Sequence, residues 1–155
     1  MKGEIYTTLL GQLFGNFHGL EMVLRAFLAN RDPRQALTKG QDFTALQVGD
    51  VVAETPFTDY ASLGQLITQF NELVPSDRRI DPALVELRDA LAHGRVWSTD
   101  GDFPLRLLKF SKPREGFATV TWAATLTEDW LDQQRGRVLD AMVRATGHHP
   151  RAGRR

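Results

Sequence analysis

One short segment of the chain combines three side chains that can bind phosphate and transfer protons. It reads Arg88-Asp89-Ala90-Leu91-Ala92-His93-Gly94. Histidine gains and loses a proton near neutral pH, and the planar guanidinium of arginine can hold two phosphate oxygens at once. Asp89 precedes His93 by four residues, so the two share one face of a helix. The residue types predict Arg88 and His93 as catalytic residues, with Asp89 in a supporting role.

The spacing of an arginine and a histidine is a weak signal by itself. Arg144 and His149 repeat it near the C-terminus, next to a basic tail, residues 148–155, that we expect to be disordered. The first pair also has a purely structural alternative. In that interpretation Arg88 and Asp89 are simply surface charge, and His93 donates a hydrogen bond to a free carbonyl at the end of a helix.

The segment needs a helix to position it, and helix signals surround it. Asp81-Pro82 is typical of a helix start and Gly94 of a helix end. Apolar residues at helical spacing provide a core face: Leu84, Leu87 and Leu91. On an ideal helix, positions 88 and 93 lie about 140° apart and do not share a face. This geometry agrees with a site that needs more than one helix.

The rest of the chain predicts a mainly α fold with one β-hairpin. We expect a single domain over residues 1–147. The predicted elements are a long helix over 3–29, a short helical turn after Asp32-Pro33, a helix from Thr58 to about Val74, the helix that ends at Gly94, a hairpin of strands 105–110 and 117–125, and a C-terminal helix from Thr127 to about Thr146. Residues 46–52 fit a short strand pair or an ordered loop equally well.

The long first helix has two features beyond its apolar face. Three glycines lie four residues apart within this helix: Gly11, Gly15 and Gly19. Each costs about 1 kcal/mol relative to alanine inside a helix, so the spacing predicts a close approach by another helix backbone, within the chain or across a dimer. His18 and Glu21 are candidate binding residues. Their alternative is a solvated edge of the helix with a satisfied histidine, where Glu21 and Arg25 form a favourable i,i+4 pair.

The amino-acid composition excludes several kinds of chemistry for this protein. The 155 residues contain 19 basic and 19 acidic side chains and no cysteine. Balanced charge provides no global attraction for nucleic acid, and the lack of cysteine excludes disulfides and thiolate chemistry. No signal peptide or long apolar run is apparent, which predicts a cytoplasmic protein without membrane association. The residue patterns indicate no cofactor and no metal site.

The segment Leu87-Arg88-Asp89-Ala90-Leu91-Ala92-His93-Gly94-Arg95 resembles the signature of the HEPN superfamily of helical ribonucleases and nucleotide-binding domains. That signature is an Arg, usually a polar residue next, and a His after four to six positions. The stretch Phe17-His18-Gly19-Leu20-Glu21 is similar to first helices of the family. The resemblance covers residues 3–97, and the hairpin at 105–125 lies outside the basic family pattern.

This resemblance implies an up-and-down helical bundle that forms a homodimer, with two Arg–His motifs facing each other across a cleft. It implies metal-independent cleavage of RNA, in a toxin or stress-response protein that an antitoxin can control. The alternative is a non-catalytic binding module for a nucleotide or a protein, since the family includes such members. The hairpin aromatics, Phe110, Phe117 and Trp122, could pack on a helix or stack on bases.

Overall fold

The computed structural model describes residues 3–98 and 104–147, and this part of the chain is mainly helical, as predicted. Its helices are α1 (Gly3–Ala29), α2 (Leu63–Leu73), α3 (Ala83–His93) and α4 (Glu128–Thr146). Its strands are β1 (Arg95–Trp97), β2 (Leu105–Phe110) and β3 (Val120–Leu126). Short 3-10 helices lie at Pro33–Thr38, Phe43–Ala45 and Ser76–Arg78. Residues 46–52 form a loop rather than strands. Within the described ranges, no helix is both long and apolar enough to cross a membrane.

The strands form one antiparallel sheet in the order β1-β2-β3. β2 and β3 are the predicted hairpin, although β3 begins at Val120 rather than at Phe117. Their register places Leu107 opposite Ala124. Gly116 in the connecting turn has a φ of 85°, a backbone conformation that favours glycine and lets the chain reverse.

The first strand, β1, was not predicted. It is three residues long and follows α3 after a single glycine, so neither alternation nor length marks it in the sequence. It exists because its backbone pairs with β2, with Arg95 opposite Leu108 and Trp97 opposite Arg106. The chain therefore passes from the candidate helix directly into the sheet.

Contacts divide the chain into two compact units, whose boundaries fall inside α1 and inside α4. The sheet unit consists of the described residues of 1–18 and 81–141, and the α2 unit of those of 19–80 and 142–155. The expected single domain over 1–147 stays a prediction. The tail at 148–155, including His149, lies outside the described residues.

In the sheet unit, α3 packs against β2 through its apolar face. The buried apolar residues of this unit include Leu13, Phe17, Leu84, Leu87, Ala90, Leu107, Leu126, Leu131 and Val138. Leu91, predicted for the core, is only half-buried, and Ala90 is fully buried beside it. On β3, Trp122 meets Trp130 of α4 edge-on, with ring centroids 6.1 Å apart. This packing holds α3 with its polar side chains toward solvent.

In the α2 unit, helix α2 begins after Ser62 and not after Thr58 as predicted. The Ser62 hydroxyl accepts from the N–H of Gln65, and the Gln65 side chain accepts from the N–H of Ser62, which forms a capping box. The Thr58 hydroxyl instead closes a loop by accepting from the Thr55 N–H at 2.8 Å. The predicted core face of α2 is confirmed, and it comprises Leu63, Leu66, Ile67 and Phe70.

Among the described residues, no helix backbone approaches the glycines of α1, so that part of the prediction is wrong. A Cβ atom at Gly11 or Gly15 would meet nothing within 4 Å. At Gly19 it would meet the Met142 side chain, with Cε at 2.9 Å, and no helix backbone. The other alternative, a seam between two copies of the chain, stays a prediction.

Candidate functional site

Helix α3 carries all three predicted catalytic and supporting residues. Its start is set by Asp81, whose carboxylate accepts from the N–H of Ala83 at 2.9 Å. That hydrogen bond, with a smaller contribution from Arg137, holds the pKa of Asp81 below its ordinary value despite partial desolvation. The structure places Pro82 at the N-cap position, one residue later than the predicted start. At the far end, the Gly94 N–H donates to Ala90 at 2.8 Å.

Arg88 and Asp89 lie together on the polar side of α3. Arg88 Nη1 is 3.2 Å from Asp89 Oδ1, and 43% of the arginine side chain is exposed. Lys109 of β2 brings its Nζ to 4.0 Å from the other oxygen, Oδ2. One carboxylate therefore serves two cations, so this cluster carries a surplus positive charge that a phosphate group can neutralise.

His93 is the last residue of α3, and it is exposed. Among the described residues it has no hydrogen-bond partner, and none links it to Asp89, which pairs with Arg88 and Lys109. Asp89, expected to support His93, therefore pairs with the two cations and makes no hydrogen bond to the imidazole. The ring of His93 is accessible to a ligand that approaches the C-terminal end of α3.

Gly94 joins the candidate helix to the sheet, and its place there depends on close packing. Its φ of −71° and ψ of 167° are extended, so the left-handed conformation typical of a helix-ending glycine is absent. A Cβ atom would clash with the Ala90 carbonyl oxygen and would lie 2.6 Å from Leu107 Cδ1 and 3.2 Å from the Leu108 carbonyl oxygen. Glycine is needed because the last turn of α3 and strand β2 both pass close to this position.

We expect Gly94→Ala to destabilise the fold by about 1–3 kcal/mol, since two of the three contacts are with backbone atoms, whose displacement would distort α3 or β2. Chemical denaturation measures the change. Gly15→Ala is the matched control: its site in α1 is open and exposed, so it should stabilise by about 0.5–1 kcal/mol. Equal stability of Gly94→Ala and the parent protein would contradict the close approach.

His18 and Glu21, the candidate binding residues, differ in their surroundings. His18 is exposed on α1 in the sheet unit. Glu21 belongs to the α2 unit, where Oε1 accepts from Arg25 Nη2 at 3.0 Å and from Nε at 3.2 Å. The ion pair predicted from the i,i+4 spacing is therefore present, and a binding role for either residue stays a prediction.

Sequence reasoning missed the importance of Arg25. This arginine is only 9% exposed. Its Nη1 donates to Asp59 Oδ1 and to the Pro56 carbonyl, both at 2.7 Å, and its Nη2 donates to the Ala61 carbonyl at 2.8 Å. Burial alone lowers the pKa of Arg25, but the hydrogen bonds to Asp59 and Glu21 outweigh it and raise the pKa. Arg25 thus ties the loop before α2 to α1.

The α2 unit also has an open cavity of about 620 Å³. Phe43 and Phe57 line it with ring centroids 5.7 Å apart, Lys39 contributes a cation and Asp32 a carboxylate. Across residues 3–98 and 104–147, no three histidine or acidic side chains come together in a group that could hold a metal ion.

Comparison of the chain with protein-family models, with curated proteins and with solved structures finds no match.

Proposed function

We propose that this protein is a HEPN-type, metal-independent endoribonuclease in which Arg88 binds the phosphate and His93 transfers a proton. The observation that carries the proposal is that both side chains are accessible to solvent on one well-packed helix, α3. An accessible imidazole and an accessible guanidinium are the groups that phosphate-ester cleavage without a metal requires. The HEPN resemblance of Leu87–Arg95 supports the same assignment.

The positive cluster supports phosphate binding. Arg88 and Lys109 share the carboxylate of Asp89, so Asp89 holds the two cations in place and cancels only part of their charge. A phosphodiester entering beside them accepts hydrogen bonds from the guanidinium, and this contact strengthens as negative charge grows on the phosphate in the transition state.

The reaction we propose needs one proton removed and one supplied. The ribose 2′-oxygen attacks phosphorus as its proton leaves, the bond from phosphorus to the 5′-oxygen breaks, and a proton is delivered to that oxygen. The products are a 2′,3′-cyclic phosphate and a 5′-hydroxyl end. His93 carries out one of these transfers. His93 of a second copy carries out the other, in keeping with the HEPN resemblance, which implies two Arg–His motifs facing each other across a cleft.

A homodimer is therefore part of the proposal, as is the mainly α bundle organised in the HEPN manner. An RNA-cleaving enzyme in the cytoplasm would arrest growth if uncontrolled, so an antitoxin protein that covers α3 fits the same function.

The first test is incubation of purified protein with mixed RNA in EDTA, followed by analysis of the product ends. We expect cyclic-phosphate ends and a rate about 10²-fold lower for Arg88→Ala, because the variant loses the charge that binds the transition state. An Arg88→Ala preparation made identically exposes any contaminating nuclease. Equal rates in the two preparations, or ends that lack a cyclic phosphate, would sink the proposal.

A second candidate function is a non-catalytic binding module. The cavity lined by Phe43, Phe57 and Lys39 favours it, because an aromatic pair and a cation suit a base and a phosphate, and about 620 Å³ is sufficient for a nucleotide. Absence of cleavage by the unmodified protein in the same assay would favour this alternative.

A further inference from the structure

The three-stranded sheet has one covered face and one open face. Side chains alternate along a strand, so buried Leu107 lies on the face toward α3, while Arg106 and Leu108 lie on the opposite, outer face. The register extends this face across the sheet. Its members are Arg95 and Trp97 of β1, Arg106, Leu108 and Phe110 of β2, and Val120, Ala123 and Thr125 of β3.

The outer face exposes an aromatic ring that the core does not use. Trp97 is 54% exposed and lies opposite exposed Arg106. Trp122 of β3, by contrast, lies on the covered face and packs on Trp130. Burying Trp97 would remove apolar surface from water, which is favourable in free energy. Only a partner that covers the outer face can bury it.

The charge on this face has one sign. Arg95 lies 5.4 Å from the centre of the Phe110 ring, and Arg106 Nη1 is 3.5 Å from the Thr125 hydroxyl. Among the described residues, neither arginine pairs with a carboxylate, and none of the residues in the three strands is acidic. An anionic partner with flat rings complements this combination of cations and aromatic rings.

We propose that the outer face binds single-stranded nucleic acid, with a base stacked on exposed Trp97 and phosphates held by Arg95 and Arg106. Base stacking on exposed sheet aromatics requires bases that are not already stacked in a duplex. The face begins two residues after His93, so a strand bound here leads to the end of α3. That the bound strand is RNA and is then cut rests on the proposed ribonuclease function.

Fluorescence anisotropy with a labelled 2′-O-methyl RNA of about 12 nucleotides tests binding separately from cleavage, because this probe lacks the attacking hydroxyl. We expect Trp97→Ala to weaken binding about 5-fold or more. Arg106→Ala should reduce the slope of log affinity against log salt by about 0.7, the value for one lost phosphate contact to a single strand. A duplex of the same sequence should bind more weakly, and a DNA strand of the same sequence shows whether the face selects RNA.

Two control variants match these changes. Phe117→Ala removes an aromatic ring that is 80% exposed but outside this face, and Arg79→Ala removes an exposed arginine that is not part of the sheet. Both should bind as the parent protein does. Trp97→Phe, which keeps a stacking ring, should recover most of the affinity, which distinguishes lost stacking from a damaged fold.

The proposal is overturned if Trp97→Ala and Phe117→Ala bind the probe equally, or if the parent protein does not bind it. A parent dimer that becomes monomeric in Trp97→Ala, without nucleic-acid binding, would identify the face as a surface for a second copy and also overturn it. Probe binding without cleavage of ordinary RNA would leave this inference standing and reject the ribonuclease.

Discussion

Replacing His93 by alanine is expected to lower the rate of RNA cleavage at least about 100-fold, the usual contribution of a positioned acid or base. The substitution removes the only group in the proposed mechanism that can exchange protons near neutral pH. Because the side chain is exposed and has no hydrogen-bond partner among the described residues, stability should change by less than about 0.5 kcal/mol. Initial rates with a defined RNA, measured in EDTA beside thermal melts, provide both quantities.

Glu86→Ala is the matched control for this experiment. Glu86 is an exposed residue of α3, so its replacement alters the same helix without touching Arg88 or His93. We expect it to cleave RNA at the parent rate. A His93→Ala protein that cleaves as fast as Glu86→Ala would reject His93 as the catalytic residue and return it to a helix-end role.

Replacing Arg25 by alanine is expected to destabilise the protein by about 3 kcal/mol, at the lower end of the range for breaking a buried ion pair. The variant leaves Glu21 and Asp59 without their cation and leaves the carbonyls of Pro56 and Ala61 without their donor. The lower end applies because 34% and 26% of the two acidic side chains are exposed and can regain water. The melting temperature should fall by about 6–12 °C.

Arg31→Ala provides the comparison for Arg25. Arg31 lies at the end of α1, is exposed, and makes a hydrogen bond to the Phe27 carbonyl at 3.1 Å and a cation–π contact with the Phe27 ring. Its removal should cost no more than about 1 kcal/mol. If thermal and denaturant unfolding show equal losses for the two variants, the buried network around Arg25 contributes little to stability.

The His93 and Arg25 variants distinguish residues needed for cleavage from residues needed for stability. His93→Ala should lose activity and keep its stability, while Arg25→Ala should lose stability and cleave RNA normally at temperatures where it remains folded. A preparation in which both properties fall together indicates misfolding, so each variant serves as a check on the interpretation of the other.

The sequence by itself determined the elements whose signals are local. Helix periodicity and capping depend on residues within a few positions of each other. The helix around Arg88 and His93, the hairpin of β2 and β3 and the core face of α2 were therefore predictable. The candidate chemistry was predictable for the same reason, because all three side chains lie within one short segment. Thr58 and Ser62 show where local signals are insufficient. Both are residue types that can cap a helix and they lie four positions apart, but only Ser62 caps α2.

Tertiary structure decided everything that depends on residues distant in the chain. Asp89 could pair with His93 or with a cation, and the approach of β2 supplied Lys109. The strand β1 exists only because β2 lies beside it. Alternation defines two faces of a strand but does not say which one the core covers, so packing alone turned Trp122 inward and left Trp97 exposed. These outcomes depend on contacts between segments, which a local pattern does not contain.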